Sequence, residues 1–444
     1  MGKFVERDQS QLFLLPVDMR DWVPEDDLAH FVLEAVDRVP MSAFVVNERG
    51  TGSAQYHPRM MLALLVYCYA NGIFGSRRIE RATYRDIGVR YVSSNCHPDH
   101  DTICAFRRNN FEAVAKAFEQ VLLLAKELKL LRVGTVSVDG TKVDANANKR
   151  NNVRYDRAQE LRGEIEALLD RAEQEDSKEA VDPQALPEEL SRRERLRERL
   201  DRACAELERR ARSAAATERA SYERKVSERQ RRKGSRKGRR IKAPPEEPAG
   251  KQQINLTDAD SGLMRKSKQH EYRQAYNAQA VVDAGGSQLV LGARVSTNAS
   301  DRRELVADVD AIPEAVGTVK EVLADNGYAT GDEVAQLEQR GMEVLVATTA
   351  EWRRRYDFRP PKAPRPQRQV RADWIAAMRK KMAQPEKSAR YRLRQQTVEP
   401  VFGIVKQAMG FRQFLLRGID KVQGEWGLVT LAYNCRRLHN LARA

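Results

Sequence analysis

The sequence predicts an α/β fold: a mixed sheet with helices packed on it, preceded by an all-helical region and interrupted by a charged helical insertion. Three observations carry that reading. Apolar residues recur at helical spacing through residues 1–130. At Val133 the pattern switches to an alternation that ends in Asp139-Gly140. After a charged interruption of 101 residues, strand-like and helix-like patterns take turns to the end of the chain. At 444 residues the chain exceeds what one core usually organises. The switches divide it into a helical region (1–130), a discontinuous α/β region (131–150 with 252–444) and the insertion (151–251).

In the helical region Pro58 opens a stripe of Met60, Met61, Leu64, Leu65 and Cys68 that stops near Gly72 and Gly75. Ser76 is placed to cap the next helix, which carries Arg77, Arg78, Glu80 and Arg81, and Thr83 with Asp86 makes a further Ser/Thr-x-x-acid start. Asp101 and Thr102 open a segment with Cys104, Phe106, Arg107 and Arg108 that leads into an apolar helix over 111–131. Short helices, Gly-containing turns and arginines on the outer faces suit a helix-turn-helix-like DNA-binding array; they also suit a plain helical bundle with solvated arginines.

The run from Val133 to Val138 reads as a strand, with Asp139-Gly140 as the turn that ends it. In the insertion, Leu161, Ile165 and Leu168 keep one narrow seam, and after Pro183 and Pro187 the residues Leu196, Leu200, Ala203 and Leu207 keep another. A helical hairpin follows. Residues 161–190 hold 10 acidic and 3 basic side chains, whereas 191–242 hold 21 Lys or Arg and 8 Asp or Glu, so the arms attract each other. The basic peak, with Arg231, Arg232, Lys233, Arg236, Lys237, Arg239, Arg240 and two glycines, reads as a flexible cationic arm for phosphates, against the plain alternative of a solvated charge run.

Beyond the insertion, strand patterns at 276–283 and 288–295 are joined by Ala284-Gly285-Gly286-Ser287 as a hairpin. Ser300 or Asp301 then caps a helix running to 312. A strand at 319–324 ends in Asp325-Asn326-Gly327, and a helix (333–340) and a strand (342–347) follow. The basic stretch 351–390, with Pro360, Pro361, Pro364 and Pro366, reads as a loop or clamp. Val398, Val401, Phe402, Val405 and Met409 mark a last long helix. This order requires a sheet with both parallel and antiparallel neighbours.

Composition narrows the function. There are 78 Lys plus Arg against 63 Asp plus Glu, a net charge of +15, which points to a polyanionic partner such as nucleic acid. The longest apolar run, 60–70, is far short of a bilayer span, and no secretory or myristoylation signal is present, so a cytosolic protein is expected. Five scattered cysteines suit reduced thiols. Cys96, His97, His100 and Cys104 lack a second pair at zinc-finger distance and read as turn and core residues. No Gly-x4-Gly-Lys-Ser/Thr or His-Glu-x2-His motif supports an ATPase or a zinc protease.

Three acids remain. Asp139 and Asp325 each follow a strand pattern, where open α/β sheets place their ligands. Glu399 lies on the last helix, whose apolar face must pack on the sheet. Three carboxylates from separated segments suit hard divalent cations, and two such ions roughly 3.5 to 4 Å apart serve in-line displacement at phosphorus. Lys406, seven residues after Glu399, falls about two helical turns on, along the same face. Asp144 faces the opposite side from Asp139, Asp301 reads as a helix cap, and Asp258 and Asp260 read as turn residues.

The run Tyr391-x2-Arg394-x4-Glu399-x6-Lys406 strongly resembles the Tyr-x2-Arg-x3-Glu-x6-Lys signature of bacterial insertion-sequence DDE transposases. The Arg-to-Glu interval is four residues instead of three, which leaves Arg392 or Arg394 as the phosphate contact. Val138-Asp139-Gly140-Thr141-Lys142 and Ala324-Asp325-Asn326-Gly327-Tyr328 resemble the segments bearing the family's two aspartates. The runs Phe411-Arg412-Gln413-Phe414 and Leu431-Ala432-Tyr433-Asn434 resemble its C-terminal tail, and Tyr56-His57-Pro58 with Ser76-Arg77-Arg78 its N-terminal helical domain. The resemblance implies an RNase H-like catalytic domain, a triad of Asp139, Asp325 and Glu399 holding two Mg²⁺ or Mn²⁺ ions, and DNA contacts from Tyr391, Arg392 or Arg394, and Lys406. It implies double-stranded DNA as substrate, both terminal inverted repeats and target, with a homodimer acting on it in the bacterial cytoplasm at the nucleoid. The reaction would be cleavage at the element ends followed by attack of the freed 3′-hydroxyl on target DNA. Two alternatives stay open: a DNA-binding regulator with inert acids, and a nuclease that cuts without joining.

Overall fold

The computed structural model describes residues 18–47, 54–176, 186–231, 241–265, 269–348 and 373–443. The helical region contains α1 (Leu28–Asp37), α2 (Pro58–Ala70), α3 (Ser76–Arg85), α4 (Ile87–Val92), α5 (His100–Asn109) and α6 (Phe111–Glu127). In α2 every residue from Met61 to Ala70 is buried, and a helix apolar on all sides has to sit in the middle of its neighbours. Aspartates start the shorter helices. Asp27 accepts from Ala29 N–H at 2.8 Å, Asp86 from Val89 at 2.9 Å, and Asp99 from both Asp101 and Thr102 at 2.9 Å. Three expected starts are thereby corrected. Asp99, not Asp101, caps α5. Thr83 is buried inside α3 and donates to Glu80 O, so Asp86 alone starts α4. Ser76 is the first residue of α3, past the position from which a side chain can cap it.

The sheet is built from β1 (Thr135–Asp144), β4 (Gly262–Met264), β5 (Arg273–Asp283), β6 (Val290–Ser296), β7 (Glu321–Ala324) and β8 (Glu343–Val346); β2 (Asn152–Arg154) and β3 (Gln253–Asn255) form a separate pair. From β6 the order is β6-β5-β1-β7-β8, with β4 also on β5. β5 is antiparallel to β1, β4 and β6, while β7 and β8 run parallel to β1. That mixed order, with α9 (Leu305–Asp310) and α10 (Gly331–Gln339) in the connections, is an RNase H-like α/β sheet, as expected.

Asp139-Gly140 does not end the first strand. β5 pairs with every residue of β1 from Val136 to Asp144, so the long ladder overrides the local turn preference. The expected helix from Ser300 or Asp301 is shorter too. It starts at Leu305 behind Glu304, and Asp301 is left outside it. The basic stretch read as a loop is helical from Asp373 onward, in α11 (Asp373–Met382) and α12 (Pro385–Gly403); Pro385 occupies the first turn, where a missing N–H costs nothing. The prolines at 360–366 lie outside the described residues.

The helix that carries Glu399 is not the last: α13 (Ile419–Ala442) follows it and lies between the helical region and the sheet, and the two share one continuous hydrophobic core. Trp426, fully buried, donates from Nε1 to Gln279 O at 2.9 Å. Along β6, Asn434 accepts from Val290 N–H at 2.8 Å and returns a bond to Val290 O at 2.7 Å. Gln423 does the same for Val295 N–H (2.7 Å) and Ala293 O (3.0 Å). Side-chain amides thus close backbone groups that an edge strand would leave open.

The insertion contains α7 (Tyr155–Asp176) and α8 (Leu186–Arg231), with the β2–β3 pair at its base. A separate core of Ala158, Ile165, Leu169, Leu200, Ala203, Cys204 and Leu207 joins the helices. Leu169 takes the place expected for Leu168, which is 41% exposed, because four residues after Ile165 returns closer to the same face than three does here. Arg162 pairs with Asp201 at 2.5 Å and Tyr155 donates to Glu208 at 2.8 Å. Since Tyr155 begins α7, the rest of the 46-residue α8 runs past the base of the hairpin.

Candidate active site

Alternation along β1 sends Ser137, Asp139 and Thr141 to the face covered by α12 and the turn after it. Thr397 donates to Ser137 Oγ at 2.7 Å, Arg394 Nη1 to Asp139 Oδ2 at 3.3 Å, and Lys406 Nζ to Thr141 Oγ1 at 2.6 Å. β7 is parallel to β1 and ends at Ala324 opposite Val138, so Asp139 and Asp325 are the next residues on two adjacent strands. Each carboxylate turns back onto the chain that follows it. Gly140 N–H donates to Asp139 Oδ1 at 2.8 Å and Gly327 N–H to Asp325 Oδ1 at 2.6 Å.

Arg394 joins the third acid to this pair. Its guanidinium is 3.3 Å from Asp139 and 3.6 Å from Glu399, whose side chain is 54% exposed. Burial, then repulsion from Asp325, pushes the Asp139 carboxyl up to about 7, with Arg394 pulling the other way. Burial also raises Asp325, against the pull of Arg394 and with Asp301 adding to the rise. Burial works against the charge on Arg394, but Asp139, Tyr391, Asp325 and Glu399 more than restore it.

Asp139, Asp325 and Glu399 offer the oxygen donors that a hard divalent cation takes. Two of them sit where burial and mutual repulsion call for a cation, and a guanidinium stands between Asp139 and Glu399. The donor set therefore fits divalent metal. Among the described residues, no three His, Cys, Asp or Glu side chains already stand close enough to share one ion; to share one with the aspartates, Glu399 would have to turn inward from its exposed rotamer.

Of the other expected contacts, Arg394 faces the acids while Arg392 is exposed on the outer side of α12. Tyr391 is buried in a cluster with Leu323, Leu345 and Ala347. Lys406 does not continue the α12 face two turns on, as expected. Gly403 ends that helix, and a π-turn over Ile404–Ala408 swings Lys406 onto β1, where it also donates to Lys142 O at 2.7 Å. Lys406 then lines a groove of about 270 Å³ with Lys142, Arg265, Arg273 and Arg412.

Arg77, Arg78 and Arg108 are exposed on the helical region, but Arg107 is not presented to any surface partner. It is buried, donating to Tyr69 OH at 2.9 Å and Phe74 O at 3.1 Å, because Tyr69 and Glu425 give its charge an internal partner. Arg231 is exposed at the end of α8, and Arg232, Lys233, Arg236, Lys237, Arg239 and Arg240 lie outside the described residues. His97 bonds Thr83, His100 bonds Glu80 and Cys104 bonds Ser76, so the Cys/His group does not converge.

Asp258 and Asp260 are turn residues with a structural task. Asp258 accepts from Tyr276 OH at 2.8 Å and Asp260 pairs with Arg210 of α8 at 2.6 Å. Asp144 points away from Asp139, to Arg273 at 3.2 Å. Asp301, read from the sequence as a helix cap, instead accepts from Asn277, Gln279 and Lys142 beside the two aspartates. The local pattern suggested only a cap, because its place in the loop between β6 and α9 says nothing of the strands it meets.

Residues 238–435 match a family described as a Transposase DDE domain, and residues 17–109 match a Transposase domain (DUF772). No curated protein and no solved structure matches the chain. Asp325 and Glu399 fall inside the DDE match, whereas Asp139 lies between the two matched segments, separated from the rest of its sheet by the hairpin insertion. Asp139 nevertheless pairs into the same sheet beside Asp325. The two matches, in the order helical domain then RNase H-like domain, place this chain among the insertion-sequence DDE transposases.

Proposed function

We propose that this transposase cleaves the phosphodiester at each end of an insertion sequence and joins the freed 3′-hydroxyl to target DNA, using Asp139, Asp325 and Glu399 to hold two Mg²⁺ or Mn²⁺ ions. The observation that carries the reading is the β1–β7 register, which sets Asp139 and Asp325 side by side at parallel strand positions under the helix that bears Glu399. When bound, the ions would activate the attacking oxygen and stabilise the leaving one. The chain's own residues do the rest. Arg394 exchanges its carboxylate partners for a phosphate as Glu399 turns in, and Lys406 with its cationic groove holds the neighbouring strand. Tyr391, buried, supports the helix behind Arg394, and Arg392 is placed for more peripheral backbone contact.

In this reading residues 1–130 form a DNA-binding domain through exposed arginines such as Arg77, Arg78 and Arg108. Residues 131–150 with 252–444 form the catalytic domain, and 151–251 a hairpin whose basic end grips DNA. The protein acts as a homodimer on duplex DNA in the bacterial cytoplasm; no helix among the described residues is long and apolar enough to cross a membrane. The test uses Asp139→Asn, Asp325→Asn and Glu399→Gln with an end-containing duplex and Mg²⁺. Each is expected to lose cleavage while retaining binding in a gel shift. Binding with no cleavage by the parent protein would indicate a regulator, and cleavage without joined product a nuclease.

A further inference from the structure

We propose that Asp301 is a positioning residue of this site, tying the two aspartate segments together and adding the charge that favours metal; the inference rests on Asp139 and Asp325 being the metal-holding pair. Its Oδ1 accepts from Asn277 Nδ2 at 2.7 Å, Gln279 Nε2 at 3.1 Å and Lys142 Nζ at 3.4 Å. A carboxylate oxygen with three donors is fixed in place.

The glycines after the two aspartates show what that fixed carboxylate touches. A Cβ on Gly140 would lie 2.8 Å from Asp301 Oδ1 and 2.5 Å from Gln279 Nε2, and a Cβ on Gly327 would lie 3.3 Å from Asp301 Oδ2. Each oxygen of Asp301 therefore rests against the backbone of one segment. The N–H groups of those same glycines hold Asp139 and Asp325. A side chain at Gly140 would collide with the Gln279 amide and Asp301, and one at Gly327 would meet Asp325 Oδ1 at 2.8 Å before it reached Asp301, which is a physical reason for Gly in both positions.

Gln279 closes the circuit. It stands opposite Gly140 in the β1–β5 ladder, donates to Asp301, and accepts at Oε1 from the hydroxyl of Tyr328, the buried residue next to Gly327. Asp139, Asp325 and their glycines are thus linked through Asp301 and Gln279, with the Lys142 ammonium balancing part of the charge. The charge of Asp301 is felt at both catalytic aspartates. Partners of this kind orient first ligands and set metal affinity.

The test is Asp301→Asn in the full-length protein, with Asp37→Asn on the exposed face of α1 as control. Mn²⁺ binding to the DNA-free protein is followed by electron paramagnetic resonance, and cleavage of an end-containing duplex is followed across an Mg²⁺ titration. The amide keeps an oxygen for the three donors and removes only charge, so cooperative melting is expected to persist. Mn²⁺ affinity should fall about tenfold or more, and half-maximal cleavage should need correspondingly more Mg²⁺. Unchanged metal affinity and Mg²⁺ requirement in Asp301→Asn would overturn the proposal, as would loss of cooperative melting, which would make Asp301 a fold residue. Asp139→Asn separates the two levels of argument. If it abolishes Mn²⁺ binding while Asp301→Asn does not, only the role of Asp301 fails; if it too leaves binding intact, the metal-site reading fails with it.

Discussion

Replacing Asp139 by Asn should stabilise the metal-free protein, by an amount that depends on pH. Burial and Asp325 raise this carboxyl from 3.8 to about 7 in the folded chain. For a carboxyl raised on folding, the unfolded chain releases its proton first, so stability is lost as pH rises from about 4 to about 7 and stays flat above. Each tenfold change in acidity is worth about 1.4 kcal/mol, which makes the full penalty about 4 kcal/mol. More than half of it opens between pH 5 and pH 8. An amide has nothing to ionise, and Arg394 keeps Glu399 as a partner at 3.6 Å. Urea denaturation in the presence of a chelator, at one-unit steps from pH 5 to pH 8, should show Asp139→Asn gaining on the parent at each step up to pH 7. Excess divalent metal should then close more than half of the gap. Saturation at about a hundred times Kd adds about 2.7 kcal/mol to a protein that binds metal only when folded, and the variant should gain little of it. A gap that does not change with pH, or a variant less stable than the parent at pH 8, would refute the argument that buried like charge strains this site.

Three further outcomes follow from the packing. Gly424→Ala would place a Cβ 2.1 Å from the Phe111 ring where α13 meets α6, so it should cost about 1–3 kcal/mol in thermal or urea melts. Asn434→Ala strips two partners from buried Val290 and should cost about 1–3 kcal/mol per group left bare, with faster amide exchange at Val290 in hydrogen-exchange measurements. Replacing residues 155–248 by a short Gly/Ser linker should leave cooperative melting of the sheet intact, because the hairpin core is separate from the main one, while the salt dependence of DNA binding flattens by about 0.9 in log–log slope for each phosphate that the hairpin no longer neutralises.

What the sequence determined by itself was everything written in periodicity along the chain. The switch at Val133, the two-seamed hairpin, the 284–287 turn and the alternation of strands with helices are local patterns, and the RNase H-like sheet follows from their order. Asp139, Asp325 and Glu399 were legible because each stands beside a recognisable strand or helix pattern.

Only the tertiary structure decided what depends on contacts between distant segments. Asp-Gly is a turn signal until a long β5 pairs across it. Lys406 projects on an extrapolated helix until a π-turn rotates it onto β1. Arg107 looks like a surface cation, and becomes an internal one because Tyr69 and Glu425 of other helices and the Phe74 carbonyl of the α2–α3 turn surround its guanidinium. Which of Arg392 and Arg394 faces the acids depends on which side of α12 meets the sheet. Asp301 stood hidden for the same reason: its donors lie 159, 24 and 22 positions away in the chain, and they meet only when β1, β5 and the loop before α9 fold together.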